Sequence, residues 1–217
     1  MKKLVTLVIF CAIFPLATAL DCTVCHSPIT STTCKPMTST CFPSYTKCFK
    51  GILKASGKRR TVNNQITAQA CTIPDLCTAP MSVNTGSLRV TGNLDCCNSD
   101  NCNTNTKIPA PYTDITPNDS KCYFCDGTEC SKIMYCQGVE NRCFETSAVV
   151  NGKTQPLKGC ASDNACKTPP SDLEFIFGTK FKSSVICCTG NLCNNAKRTE
   201  QSVFVLLVPL TSIKLFY

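Results

Sequence analysis

The chain has 217 residues, of which 21 are cysteine, with one histidine, no tryptophan and a formal charge of +8. A cysteine fraction this high marks a disulfide-stapled secreted scaffold and excludes an ordinary cytosolic protein. Between Asp21 and Ser202 only 47 of 182 residues are apolar and not cysteine, which excludes one large enzyme-sized core and favours small cross-linked modules.

Residues 1–19 read as a secretory signal peptide. Lys2 and Lys3 form the basic start, Leu4 to Leu16 is mostly apolar, and Ala17-Thr18-Ala19 is a small-x-small cleavage pattern. The apolar run is shorter than the ~20 residues a membrane span needs. Cleavage after Ala19 removes Cys11 and leaves 20 cysteines, an even number that can pair completely.

The remaining cysteines repeat. Positions 22, 25, 34, 41, 48, 71, 77, 96, 97 and 102 form one register, and 122, 125, 130, 136, 143, 160, 166, 187, 188 and 193 form another. The first, fourth, sixth, eighth and ninth gaps are identical, at 2, 6, 5, 0 and 4 residues. Cys48-Phe49 matches Cys143-Phe144, and Cys102-Asn103 matches Cys193-Asn194. Two copies of one module are therefore expected, over residues 20–103 and 122–194.

In the first copy, Phe49 to Leu53 and Thr61 to Ala70 read as a hairpin whose tip, Ala55 to Arg60, carries Lys58, Arg59 and Arg60 near Lys54. Residues 104–121 read as a linker, because Pro109, Pro111 and Pro117 favour an extended connection. Asn118-Asp119-Ser120 within it is the sole N-x-[ST] glycan acceptor. In the second copy, Phe144 to Val150 turns at Asn151-Gly152 and returns through Lys153 to Leu157, a strong hairpin signal. Leu173, Phe175 and Phe177, then Phe181, Ser183 and Val185, alternate about Gly178 and read as another hairpin. No helical period stands out between the termini. The expected fold class is all-β, with hairpins projecting from disulfide knots.

After Cys193 come Asn194, Asn195 and Ala196, then a polar spacer, then a largely apolar run from Val203 to Tyr217. Small residues, spacer and apolar tail make residues 195–217 a glycolipid-anchor signal, with attachment at Asn194 or Asn195.

The early C-x2-C, the adjacent cysteines and the closing Cys-x4-Cys-Asn of both copies resemble the three-finger superfamily, and within it the lymphocyte-antigen-6 and urokinase-receptor modules. Cysteine spacing alone leaves the connectivity open. The resemblance implies two snake-toxin-like domains in tandem, with Cys22 joined to Cys48, Cys25 to Cys34, Cys41 to Cys71, Cys77 to Cys96 and Cys97 to Cys102. It likewise implies Cys122 to Cys143, Cys125 to Cys130, Cys136 to Cys160, Cys166 to Cys187 and Cys188 to Cys193. It further implies that Asn103 and Asn194 hydrogen-bond main chain inside each knot.

Other chemistry is poorly served. Cys22-x2-Cys25 and Cys122-x2-Cys125 could be zinc half-sites or redox pairs, but structural disulfides suit a secreted chain better. His26 has no triad partner or metal set near it in sequence, so no catalytic residue, cofactor or metal is expected. Nucleic-acid binding gains no support, since nothing aromatic interleaves with the basic tip. Lys54, Lys58, Arg59 and Arg60 suit an anionic partner such as a sulfated glycan, or else form a solvated tip. Leu173, Phe175 and Phe177 either form a contact ridge or pack on a neighbouring hairpin. The resemblance implies a non-enzymatic extracellular binding protein, tethered by a glycolipid like urokinase-receptor-type proteins. It leaves open a secreted inhibitor of phospholipases like the gamma class, or a secreted signal or channel modulator.

Overall fold

The computed structural model describes residues 19–28, 35–57, 63–150, 152–177 and 179–195. Residues 1–18 of the expected signal peptide, the basic tip Lys58-Arg59-Arg60 and the apolar tail lie outside these residues.

The first module has three antiparallel hairpins: β1 (Asp21–Pro28) with β2 (Met37–Thr40), β3 (Lys47–Gly57) with β4 (Asn63–Thr72), and β5 (Met81–Asn84) with β6 (Leu88–Cys97). A 3-10 turn, Pro74–Cys77, joins the second hairpin to the third. β3 pairs with both β4 and β6, with Leu53 opposite Ile66 on one side and Gly92 on the other. The period-2 alternation of β3 sends Phe49, Gly51 and Leu53 to one face, and Lys50, Ile52 and Lys54 to the other. β3 extends to Gly57, so Ala55 and Ser56, expected in the tip, belong to the strand.

The second module contributes β7 (Pro117–Asp126) with β8 (Glu129–Gln137), β9 (Glu140–Val150) with β10 (Lys153–Ser162), and the short β11 (Ile186–Cys188) on β9. Gly152 takes φ +74° in the β9–β10 turn, a conformation that glycine adopts without strain. β7 begins at Pro117, so the last five residues of the expected linker are strand.

One expectation is overturned. Residues 173–185 do not form a β-hairpin. Two short helices stand here instead, α1 (Asp163–Lys167) just before the region and α2 (Pro170–Phe177) entering it. The return meets β9 through the isolated bridge Ala148–Phe181 and side-chain bonds such as Thr146 Oγ1 to Ser183 O at 2.9 Å. The physical signal was Thr168-Pro169-Pro170-Ser171-Asp172: proline near a helix start loses no needed donor, and an acid in the first turn suits the helix dipole. The amides of Asp172 and Leu173 both donate to Pro169 O, at 3.0 and 3.2 Å. Leu173 of α2 is buried, only 4% exposed.

The two modules share one sheet. β10 pairs antiparallel with β5, Cys160 opposite Asn84 and Ala161 opposite Val83, giving nine strands in the order β11-β9-β10-β5-β6-β3-β4-β1-β2. The main apolar cluster crosses the junction, with Leu53, Leu76, Met81 and Val83 meeting Phe144, Ala161 and Ala165. The connecting segment follows β6, where Thr91 Oγ1 donates to Tyr112 O at 3.0 Å and Asn93 Nδ2 to Ala110 O at 2.9 Å. Among the described residues no helix is long and apolar enough to cross a membrane.

Candidate binding cleft between the modules

The cysteines form the floor of each module. The structure joins Cys22–Cys48, Cys41–Cys71, Cys77–Cys96 and Cys97–Cys102 in the first. In the second it joins Cys122–Cys143, Cys125–Cys130, Cys136–Cys160, Cys166–Cys187 and Cys188–Cys193. Cys25 is disulfide-bonded, while Cys34 lies outside the described residues. The sulfurs of Cys22, Cys41 and Cys71 lie within 4.8 Å of one another, as do those of Cys122, Cys136 and Cys160. All six sit in disulfides, so neither triplet offers a thiolate to a metal.

Asn103 and Asn194 occupy matching places over these knots. Asn103 Oδ1 accepts from Thr23 N at 3.0 Å, and its Nδ2 donates to Thr23 O and Phe49 O at 2.8 and 2.9 Å. Asn194 repeats the pattern with Tyr123 N, Tyr123 O and Phe144 O at 3.0, 2.9 and 2.9 Å. Its own carbonyl accepts from the buried Lys158 Nζ at 2.6 Å. Asn195 is exposed beyond it.

On the face carrying Phe49 and Leu53 the sheet holds a cleft of about 260 Å³. Its walls are apolar, chiefly Phe49, Leu53, Ala68, Met81 and Leu94, drawn from β3, β4, β5 and β6. Gly51 and Gly92 let these strands pack closely: a Cβ on Gly51 would stand 2.3 Å from Leu94 Cδ2, and one on Gly92 2.8 Å from Leu53 Cδ2. The second module reaches the mouth through Asp172 on α2, whose carboxylate accepts from Tyr45 Oη at 3.3 and 3.2 Å. Burial, then the nearby Asp172 charge, raises the Tyr45 hydroxyl above its usual range. The site is an apolar hollow with one polar pair at its lip, a form that suits recognition of apolar side chains.

Behind the junction lies a polar lock that sequence reading missed. Glu140, fully buried, accepts at Oε1 from Arg89 Nε and Ser82 Oγ, both at 2.7 Å, and at Oε2 from Gln137 N at 2.9 Å. Nothing in the strand pattern marked Glu140, since its side-chain partners Arg89 and Ser82 stand on the other module.

The remaining expected site residues are scattered. Lys54 is half-buried on the opposite face of β3 from the cleft, in register with Gln65 and Thr91. His26 lies in β1 opposite Ala68. Asn118 sits in β7 with its amide bonded to main chain. Apart from the expected residues, Asp163 receives Lys167 and Arg142, which hold its carboxyl below the usual range.

Comparison with known proteins agrees with this architecture. Residues 18–105 match the u-PAR/Ly-6 domain family, and residues 121–194 match the snake toxin and toxin-like protein family. The chain is 28% identical over 121 residues to the urokinase plasminogen activator surface receptor of Bos taurus, covering 50% of this chain and 34% of that protein. It is 30% identical over 110 residues to the same receptor of Rattus norvegicus, covering 46% and 32%. The Mus musculus receptor is 30% identical over 114 residues, covering 47% and 33%. The matched stretch thus spans about a third of each relative's length. With both halves matched and a mostly β, disulfide-stapled fold, the chain belongs to the u-PAR/Ly-6 three-finger family as a protein of two modules.

Proposed function

We propose that this protein is a non-enzymatic, extracellular binding protein, tethered to the outer face of the plasma membrane by a glycolipid. On this reading the inter-module cleft receives an apolar segment of an extracellular protein ligand. One observation carries it: an apolar hollow of about 260 Å³ walled by the first module and lipped by Asp172 of the second. A sheet braced by disulfides keeps such a hollow open without a ligand, which lowers the ordering cost of binding. The tether rests on the Asn194–Ala196, spacer and Val203–Tyr217 pattern. The basic residues Lys58, Arg59 and Arg60, with Lys54 nearby on β3, add attraction for an anionic partner or glycan.

The plasminogen activator in the relatives' names is the first ligand to test. The full chain is expressed in animal cells, treated with a phosphatidylinositol-specific phospholipase, and the released protein measured for binding. Surface protein released without the Val203–Tyr217 peptide, with ligand affinity lost in Phe49→Ser, is expected. Full-length protein only in the medium, inhibiting a secreted phospholipase, would replace the tethered receptor with the soluble inhibitor.

A further inference from the structure

Asn118 opens the Asn118-Asp119-Ser120 acceptor, and the fold uses its side chain for something else. Nδ2 donates to Gly138 O and to Glu140 O, each at 2.9 Å, and Oδ1 accepts from Ser120 N at 2.9 Å. A side-chain amide has two hydrogens, and both are committed to carbonyls of one turn. An N-linked sugar replaces one of those hydrogens with a carbon of N-acetylglucosamine. The sugar would then stand where a main-chain carbonyl stands, and that carbonyl would lose its donor.

The turn has little freedom to retreat. Gly138 holds φ +55°, its N–H donates to Thr116 O at 2.9 Å, and Val139 N donates to Tyr112 Oη at 3.1 Å. A Cβ on Gly138 would lie 2.2 Å from the Tyr112 hydroxyl, so that oxygen closes the space beside it. The next residue is the fully buried Glu140, whose carboxylate grips Arg89 and Ser82 of the first module. The acceptor nitrogen therefore points into the turn that aims the inter-module lock.

We infer that Asn118 is a structural tie between the start of β7 and the turn that leads into β9, and that its acceptor sequence carries no glycan in the folded protein. A glycan on Asn118 and docked modules exclude each other.

The chain is expressed in animal cells and its intact mass measured before and after peptide N-glycosidase, with residue 118 read by peptide mapping. No mass change and an unconverted Asn118 are expected. Loss of sugar mass with Asn118 converted to aspartate, in folded monomer, overturns the inference. Two variants separate the tie from the acceptor sequence. Ser120→Ala destroys the acceptor and spares the Asn118 bonds, so its melting temperature should equal that of wild type. Asn118→Ala should lower it by about 3–8 °C and raise amide exchange at Gln137, Glu140 and Ser82. Unchanged melting and exchange in Asn118→Ala would overturn the tie, and the mass measurement stands even if that variant is not secreted.

Discussion

Asn103 and Asn194 each hold two segments of main chain together over a disulfide knot with a single side-chain amide. Each is buried, with exposures of 0% and 2%, so truncation leaves main-chain groups without water or partner. Asn103→Ala or Asn194→Ala should cost about 3 kcal/mol, read as a lower midpoint in guanidinium with disulfides intact. Glu140 is more demanding. Removing one member of a buried, hydrogen-bonded ion pair strands the other, at about 3–5 kcal/mol. Glu140→Ala should show that loss, and Glu140→Met with Arg89→Met should recover part of it. Titration adds a weaker signal at both ends of the pH scale. Tyr45 is raised, mainly by burial, so the stability it contributes is whole below its ordinary value of about 10 and is lost as pH rises through the folded value. Asp163 is lowered, mainly by its bond from Lys167 and then by that from Arg142. Its contribution is therefore present above the ordinary carboxylate range and lost as pH falls through the folded value. Tyr45→Phe should flatten the alkaline limb of melting temperature against pH and leave the acid limb alone.

Two elements decide how the modules meet. β10 can lie against β5 because Gly159 has no side chain: a Cβ there would stand 1.9 Å from Asn84 O, an overlap with main chain that no rotamer relieves. Gly159→Val should therefore open the β10–β5 pairing, seen as faster amide exchange at Asn84 and Val83 while exchange along β3 and β4 stays slow. The helix α2 is the other element. Leu173 packs into the second module, Asp172 turns out to Tyr45, and Glu174 Oε1 accepts from Phe181 N at 2.8 Å, so one short helix serves core, cleft and return segment together. Leu173→Ala should cost about 2–5 kcal/mol and weaken ligand binding by shifting Asp172.

At the scale of the molecule, each disulfide placed among the described residues lies within a module, yet the apolar cluster spans both. Covalent bracing, about 2–4 kcal/mol per bridge, lets each half fold around few apolar residues. The shared cluster then makes their separation costly. Residues 20–103 expressed alone should keep their bridges but expose Val83 and the free edge of β5, a template for pairing with other chains. Self-association on a sizing column, absent for the two-module chain, is the expected result; a stable soluble monomer with unchanged melting would contradict it.

The sequence by itself determined the duplication, the β-rich modules and the matching positions of Asn103 and Asn194, because these follow from cysteine spacing and from local alternation, while the bonds of the two asparagines came only as what the family resemblance implies. The hairpin at Asn151-Gly152 was legible for the same reason: turn chemistry and strand period act over a few residues. The region after Pro169 was misread because Leu173, Phe175 and Phe177 satisfy period 2 as well as a short helix does. Proline and aspartate at its start outweighed that alternation. Only the tertiary structure decided the cleft, the Glu140–Arg89 lock and the second use of Asn118. Each brings together residues from the two modules, or from β7 and a turn, that lie 20 or more positions apart, with Glu140 and Arg89 separated by 51. No local pattern encodes such meetings, because they depend on how distant strands and turns close on one another, as β10 closes on β5 beside Gly159.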